Sequence, residues 1–217
     1  MGEALRHVET VCLSAGAPGA FDRAVAALRR GEPVAFPTDT VYGVGAHAFS
    51  PEAVQRLYLV KERPAHLPIP VLLPDARVME TVCADVPPLA WEVAARFWPG
   101  GLSLVLRRAP MLPDAVTAGG PTVAVRVPDH PLVRELCRCL GAPLAATSAN
   151  LHGWPDPILA AEVQAALGGR ISLILDGGPC AGGVASTVLD LTVSPPLILR
   201  RGPVTAEQLA TILSLHG

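Results

Sequence analysis

The chain has 217 residues, half of them apolar and only 4% aromatic, which is enough to bury one sizeable core and lies at the upper end of the single-domain range. Its 17 Lys and Arg against 19 Asp and Glu leave a formal charge of −2, which excludes broad electrostatic binding to nucleic acid or acidic membrane and confines any phosphate site to a local cluster. The five cysteines (Cys12, Cys83, Cys137, Cys139, Cys180) form no C-x-x-C pair, so the spacing argues against a structural zinc or redox centre and for free thiols in a reducing compartment.

At the start, Glu3, Arg6, His7 and Glu9 precede any apolar stretch, unlike a signal peptide. No uninterrupted apolar run approaches the ~18 residues of a membrane span, so the expected location is the cytoplasm, with no membrane partner. The first expected strand covers residues 33–37 and runs into a loop with hydroxyls, Asp39, Gly43 and Gly45. Gly43-x-Gly45-x-x-Ala48 superficially matches a dinucleotide fingerprint, but the glycines lie well beyond the strand and the next helix opens only at Ser50-Pro51. Polar groups at a strand end suit a ligand site, and the competing reading is a tight loop that uses glycine for positive φ.

Ser50 as cap and Pro51 in the first turn predict a helix carrying Val54, Leu57 and Tyr58 at i, i+3, i+4 and ending near Arg63-Pro64. Lys61 and Arg63 then stand at its C-terminus, where the macrodipole favours cations, but the immediate turn into an apolar strand at 69–73 points them toward a sheet edge where ligands collect. A helix from about 88 to 97 and strands at 102–106 and 123–127 follow. Arg126 interrupts the last of these, and a charge in a buried strand costs several kcal/mol unless an internal Asp or a ligand anion compensates it.

Asp129-His130-Pro131 opens a helix with Leu132, Val133, Leu136 and Leu140 on its apolar face, stopped by Gly141. A strand at 144–146 delivers Thr147-Ser148-Ala149-Asn150 to its end, where hydroxyls and an amide are ready donors and acceptors, or simply an ordinary turn. Strands at 171–175, 187–191 and 197–200 flank a glycine-rich stretch at 176–183; Ser186-Thr187 opens one and Arg200-Arg201-Gly202-Pro203 ends another. Thr205-x-x-Gln208 is a capping box for a last helix.

Eight apolar strands alternating with helices predict an α/β fold, and they are too many for one small parallel sheet. The expectation is a strongly twisted mixed sheet with flanking helices, joined by connections that the 23 prolines make rigid. No H-E-x-x-H, G-x-S-x-G or P-loop pattern occurs, and Cys180 has no matched base, so hydrolase, zinc-enzyme and P-loop readings fall away.

Taken in order, Pro-Thr-Asp-Thr-Val-Tyr-Gly (37–43), Lys-x-Arg-Pro (61–64), Phe-Trp-Pro-Gly (97–100), Val-Ala-Val-Arg-Val-Pro (123–128), Ser-x-Asn (148–150), Ser-Thr-Val-Leu-Asp (186–190) and Arg-x-Gly-Pro (200–203) resemble the YrdC/Sua5 family. The resemblance spans roughly residues 20–203 and implies one YrdC-like domain over residues 1–217, like the short members without a further C-terminal domain. It implies a twisted mixed sheet with a basic concave ligand site. The implied activity is L-threonylcarbamoyladenylate synthesis: L-threonine, bicarbonate and ATP give threonylcarbamoyl-AMP and pyrophosphate for the t6A base of tRNA.

By motif position, Lys61, Arg63, Ser148 and Asn150 would act on ATP, held also by Thr122 and Arg200. Thr40, Arg126 and Ser186 would hold threonine, with Arg126 gripping its carboxylate through a planar fork that Lys lacks. No side-chain nucleophile is needed, because fixed cations, and Mg²⁺ carried by ATP rather than by the protein, stabilise the charge built during attack on the α-phosphorus. Implied partners are tRNA and a downstream threonylcarbamoyl-transferase complex.

Three positions depart from the family pattern: Leu67 where many members carry a polar or basic residue, Leu72 where some have His, and Gly101 in place of a second proline. They keep open a paralogue that serves as an RNA- or nucleotide-binding module, or that transfers carbamoyl groups to another substrate.

Overall fold

The structure, a computed structural model, describes residues 7–213. Glu3 and Arg6, on which the reading of the chain start partly rests, lie outside them. The described strands form one ten-stranded mixed sheet. In chain order they are β1 (Val11–Ser14), β2 (Val34–Phe36), β3 (Gly43–His47), β4 (Val71–Leu72), β5 (Leu102–Arg107), β6 (Thr122–Arg126), β7 (Leu144–Ser148), β8 (Leu173–Asp176), β9 (Thr187–Asp190) and β10 (Leu197–Arg200). Across the sheet the order is β1-β8-β2-β3-β7-β4-β6-β5-β9-β10. The pairs β1–β8, β8–β2, β4–β6 and β5–β9 are parallel and the others antiparallel.

The helices are α1 (Ala20–Arg29), α2 (Pro51–Lys61), α3 (Met79–Val82), α4 (Pro88–Phe97), α5 (Asp114–Thr117), α6 (Pro131–Leu140), α7 (Ala160–Leu167) and α8 (Ala206–Leu213). Ser50 Oγ caps α2 through Ala53 N, Gly141 closes α6 at φ 77°, and Thr205 and Gln208 exchange the two bonds of a capping box ahead of α8. The sequence reading omits α3 and α5, which are four residues each, and α1 and α7, whose starts lack Ser, Thr, Asp or Asn caps: Gly19 precedes α1, and Leu159 precedes α7. It also omits β1, a short half-exposed edge strand.

One expectation is corrected outright. Residues 43–47 are a central strand and not a glycine loop, and neither Gly43 nor Gly45 has a positive φ. Both lie beneath the Phe36 ring of the neighbouring strand, where an added Cβ would come within 3.1 Å and 3.0 Å of ring carbons. The missing side chains make room for an aromatic, and the dinucleotide fingerprint is accidental.

Side-chain alternation splits the core in two. Ala35, Val44, Val71 and Ala145 face a cluster that includes buried residues of α2, α4 and α7. Val34, Phe36, Leu72, Leu144, Ala146 and Leu173 face the opposite cluster, beneath α1 and α6. That second cluster contains no residue of β5, β6, β9 or β10. Register places Ser103 and Arg126 on the same face as Leu72, so α1 and α6 cover one half of this face and leave the other half to polar side chains.

Candidate active site

The boundary between the covered and uncovered halves holds an open hollow, whose lining includes Thr40, Leu72, Ser103, Arg126, Ser148, Ser186 and Arg200. Chain segments more than a hundred residues apart thus meet because β7, β4, β6, β5 and β9 are laid side by side.

Arg126 ends β6 and is 6% exposed. Its Nε donates to Gly100 O at 2.8 Å, Nη1 to Thr40 Oγ1 at 3.0 Å and Nη2 to Asp39 Oδ1 at 2.5 Å. The charge-breaking arginine therefore has an internal Asp as partner, and Thr40 is part of the same network. Burial pulls the guanidinium below its ordinary value while Asp39 opposes the fall. Thr38 Oγ1 accepts from Thr40 N and Val41 N and donates to Val41 O, folding the turn that presents Asp39 and Thr40.

On the β10 side of Arg126, Arg200 Nε donates to Ser186 O at 2.9 Å and Nη2 to Ser186 Oγ at 3.1 Å, while Ser186 and Ser103 share a hydrogen bond of 2.9 Å. Gly202 makes this packing feasible: a Cβ there would lie 2.4 Å from both Ala185 O and Thr187 N, so only glycine lets the chain after β10 lie against the Ser186 backbone. Burial also lowers the Arg200 pKa.

Ser148 ends β7, which runs two residues beyond the expected strand. Its Oγ donates to Asn150 Oδ1 at 2.7 Å, and Asn150 Nδ2 reaches Trp154 O at 2.5 Å and Asp156 Oδ1 at 3.3 Å. Lys61, 1% exposed, donates from Nζ to Ser148 O, to Asn150 O at 2.5 Å and to Asn150 Oδ1 at 2.9 Å. Three ammonium hydrogens meet three oxygens, and Lys61 braces the wall from behind rather than lining the hollow. Burial, and to a lesser degree Arg63, pushes its pKa down to about 7.

Four expected residues are absent from this hollow's lining: Lys61 and Asn150, which brace the Ser148 wall, and Arg63 and Thr122, which stand apart from it. Arg63 follows the left-handed turn at Glu62 and donates to Leu67 O at 3.2 Å and Pro68 O at 2.8 Å. Thr122 opens β6 at the end opposite Arg126, about 13 Å along a strand, and lines a separate hollow with Arg107 and Arg108. The sequence reading missed Ser103 and Asp156, which line the hollow, and Asp39, which does so only through Arg126. Ser103 carried a signal, since it interrupts the apolar run of β5 as Arg126 interrupts that of β6.

The three departures also find local accounts. Leu67 meets Arg63 through its backbone carbonyl, Leu72 gives the hollow an apolar wall, and Gly101 receives the Pro203 ring, 3.0 Å from where a Cβ would stand. Among the described residues no cluster of three or more His, Cys, Asp or Glu forms a metal site, and no helix is long and apolar enough to cross a membrane.

Residues 26–202 match the Sua5/YciO/YrdC family model, described as telomere recombination. The threonylcarbamoyl-AMP synthase of Bacillus subtilis is 47% identical over 195 residues, covering 88% of this chain and 56% of that protein. The enzyme of the same name from Vibrio campbellii is 34% identical, with 84% of this chain and 98% of that protein covered. A crystal structure of P. abyssi Sua5 complexed with L-threonine superposes with a TM-score of 0.87 at 41% identity, covering 88% of this chain and 56% of that one. This chain thus spans just over half the length of the Bacillus and Pyrococcus proteins it matches.

Proposed function

This chain belongs to the Sua5/YciO/YrdC family, and we propose that it is an L-threonylcarbamoyladenylate synthase whose hollow holds an amino acid beside a nucleoside triphosphate. The observation that carries this reading is the gathering of donors in one cavity: Arg126, Thr40, Ser186, Arg200 and Ser148 line it together, a set able to receive a carboxylate and phosphate oxygens side by side. The threonine complex of the Pyrococcus relative and the names of the other relatives support it.

In this reading the threonine amine and bicarbonate give a carbamate with loss of water. A carbamate oxygen then attacks the α-phosphorus of ATP, the new P–O bond forms and pyrophosphate leaves with the electrons of the broken one. The protein's part is alignment and charge stabilisation. Arg126 fixes the carboxylate, Arg200 and Ser148 receive the phosphates, and Lys61 with Asn150 holds the Ser148 wall in place. Arg63 would join only if the 67–68 turn released it.

Mg²⁺ would arrive with the triphosphate, since it is commonly held by substrate phosphates plus one or two carboxylates, and Asp156 is the carboxylate that lines the hollow. The product would pass to a threonylcarbamoyl-transferase complex acting on tRNA, in the cytoplasm, and the whole chain would act as one YrdC-like domain. Mass spectrometry of a mixture of protein, ATP, L-threonine and bicarbonate tests the proposal. Threonylcarbamoyl-AMP and pyrophosphate in equal amounts are expected; ATP left intact, or cleaved without threonine dependence, contradicts it.

A further inference from the structure

Arg126 and Arg200 face one cavity, but their charges are compensated differently. Asp39 lies 2.5 Å from Arg126, whereas Arg200 hydrogen-bonds only the carbonyl and hydroxyl of Ser186 and feels the Asp156 carboxylate from beyond ion-pair distance. Asp39 does not itself line the cavity, and its side chain is 17% exposed.

Counting donors shows what that guanidinium has left. Of its five N–H groups, Nε serves Gly100, one hydrogen of Nη1 serves Thr40 and one of Nη2 serves Asp39. One hydrogen remains on each terminal nitrogen, so the guanidinium can still donate to the oxygens of a ligand. The charge, however, is already balanced by Asp39, so the Arg126–Asp39 unit offers geometry without net attraction for a polyanion. Arg200 offers both.

Resting on the reading above, we propose that Asp39 is the specificity-determining residue of the amino-acid end: it positions Arg126 and cancels its charge, so that the guanidinium accepts a monoanionic carboxylate and is withheld from phosphate. A bare arginine 6% exposed in a cavity built for a triphosphate would otherwise compete for phosphate oxygens with Arg200. The two cations share one hollow yet select different anions, because one carries its own counterion.

Asp39→Asn keeps the shape and one acceptor oxygen while removing the charge. Calorimetric titration of L-threonine, with and without inorganic pyrophosphate, reads the consequence. In the unaltered protein pyrophosphate is expected to compete with ATP and leave threonine affinity unchanged. In Asp39→Asn it is expected to compete with threonine as well and to weaken threonine binding about tenfold, the scale of one charge-assisted contact. Asp39→Glu, which restores the charge, should restore the exclusion, and Asp39→Ser reads the same competition if the Asn variant fails to fold.

Pyrophosphate that remains without effect on threonine binding in the uncharged variants overturns the proposal. So does an equal loss of ATP and threonine affinity together with a lowered melting temperature, which would make Asp39 a structural residue only. Failure of the unaltered protein to bind threonine at all would instead overturn the functional reading on which the proposal stands, and is seen before any variant is made.

Discussion

Lys61 shows how burial changes the meaning of a residue that the sequence presents as a surface cation. Its position at the end of α2 matches the macrodipole, yet the ammonium is enclosed by Ser148 O, Asn150 O and Asn150 Oδ1. With a folded pKa of about 7 against an ordinary 10.5, the unfolded chain holds a proton that the folded chain has lost between those values. Unfolding there takes up a proton, so Lys61 makes stability rise as pH rises from about 7 to about 10.5. Urea denaturation across that range should show the rise in the unaltered protein and a flatter profile in Lys61→Met; equal slopes would remove Lys61 from the account. For Arg126→Ala, loss of a charge-assisted contact worth about 1.5–3 kcal/mol should raise the threonine requirement about 10- to 150-fold with ATP affinity nearly intact. Titration of each ligand separately checks this. Arg126 was legible because a charge broke an apolar run. Its partner Asp39 was not, because it lies 87 positions away and the pairing depends on the strand order between them.

At the scale of elements, the sequence was clearest where a side chain terminates structure. Ser50, Gly141 and the Thr205–Gln208 pair mark helix ends by hydrogen bonding or backbone conformation, and those boundaries appear where the residues place them. Thr205→Ala should accordingly cost about 1 kcal/mol of stability without changing ATP or threonine affinity, measured by thermal melting beside ligand titration. Elements held only by tertiary packing were harder to see. The strand β3 contains two glycines, poor strand formers whose purpose appears only when Phe36 lies over them. Gly202 belongs to the same class, since its need for close approach follows from the return of the chain against Ser186. Gly202→Ala should destabilise the fold by about 1–3 kcal/mol through overpacking and weaken ATP binding by displacing the Arg200–Ser186 contact. Denaturant titration and ATP titration of the same variant measure both effects, and unchanged ATP affinity would separate that contact from nucleotide binding.

For the molecule as a whole, periodicity predicted a mixed twisted sheet with flanking helices, and the ten-stranded sheet agrees. The lateral order was not legible, because no local pattern tells β8 to insert between β1 and β2, or β9 to pair with β5. That order creates the functional asymmetry: α1 and α6 cover one half of a face, and the polar residues of β6, β5, β9 and β10 occupy the other. Distant hydroxyls and guanidiniums converge at this edge of cover, with Leu72 forming the apolar wall between them. The most direct test is a crystal structure of the protein with L-threonine and a non-hydrolysable ATP analogue bound together. The account predicts the threonine carboxylate on Arg126 and Ser186 and the phosphates on Arg200 and Ser148 within one hollow. Phosphates seated on Arg126, or the two ligands in separate hollows, would contradict it.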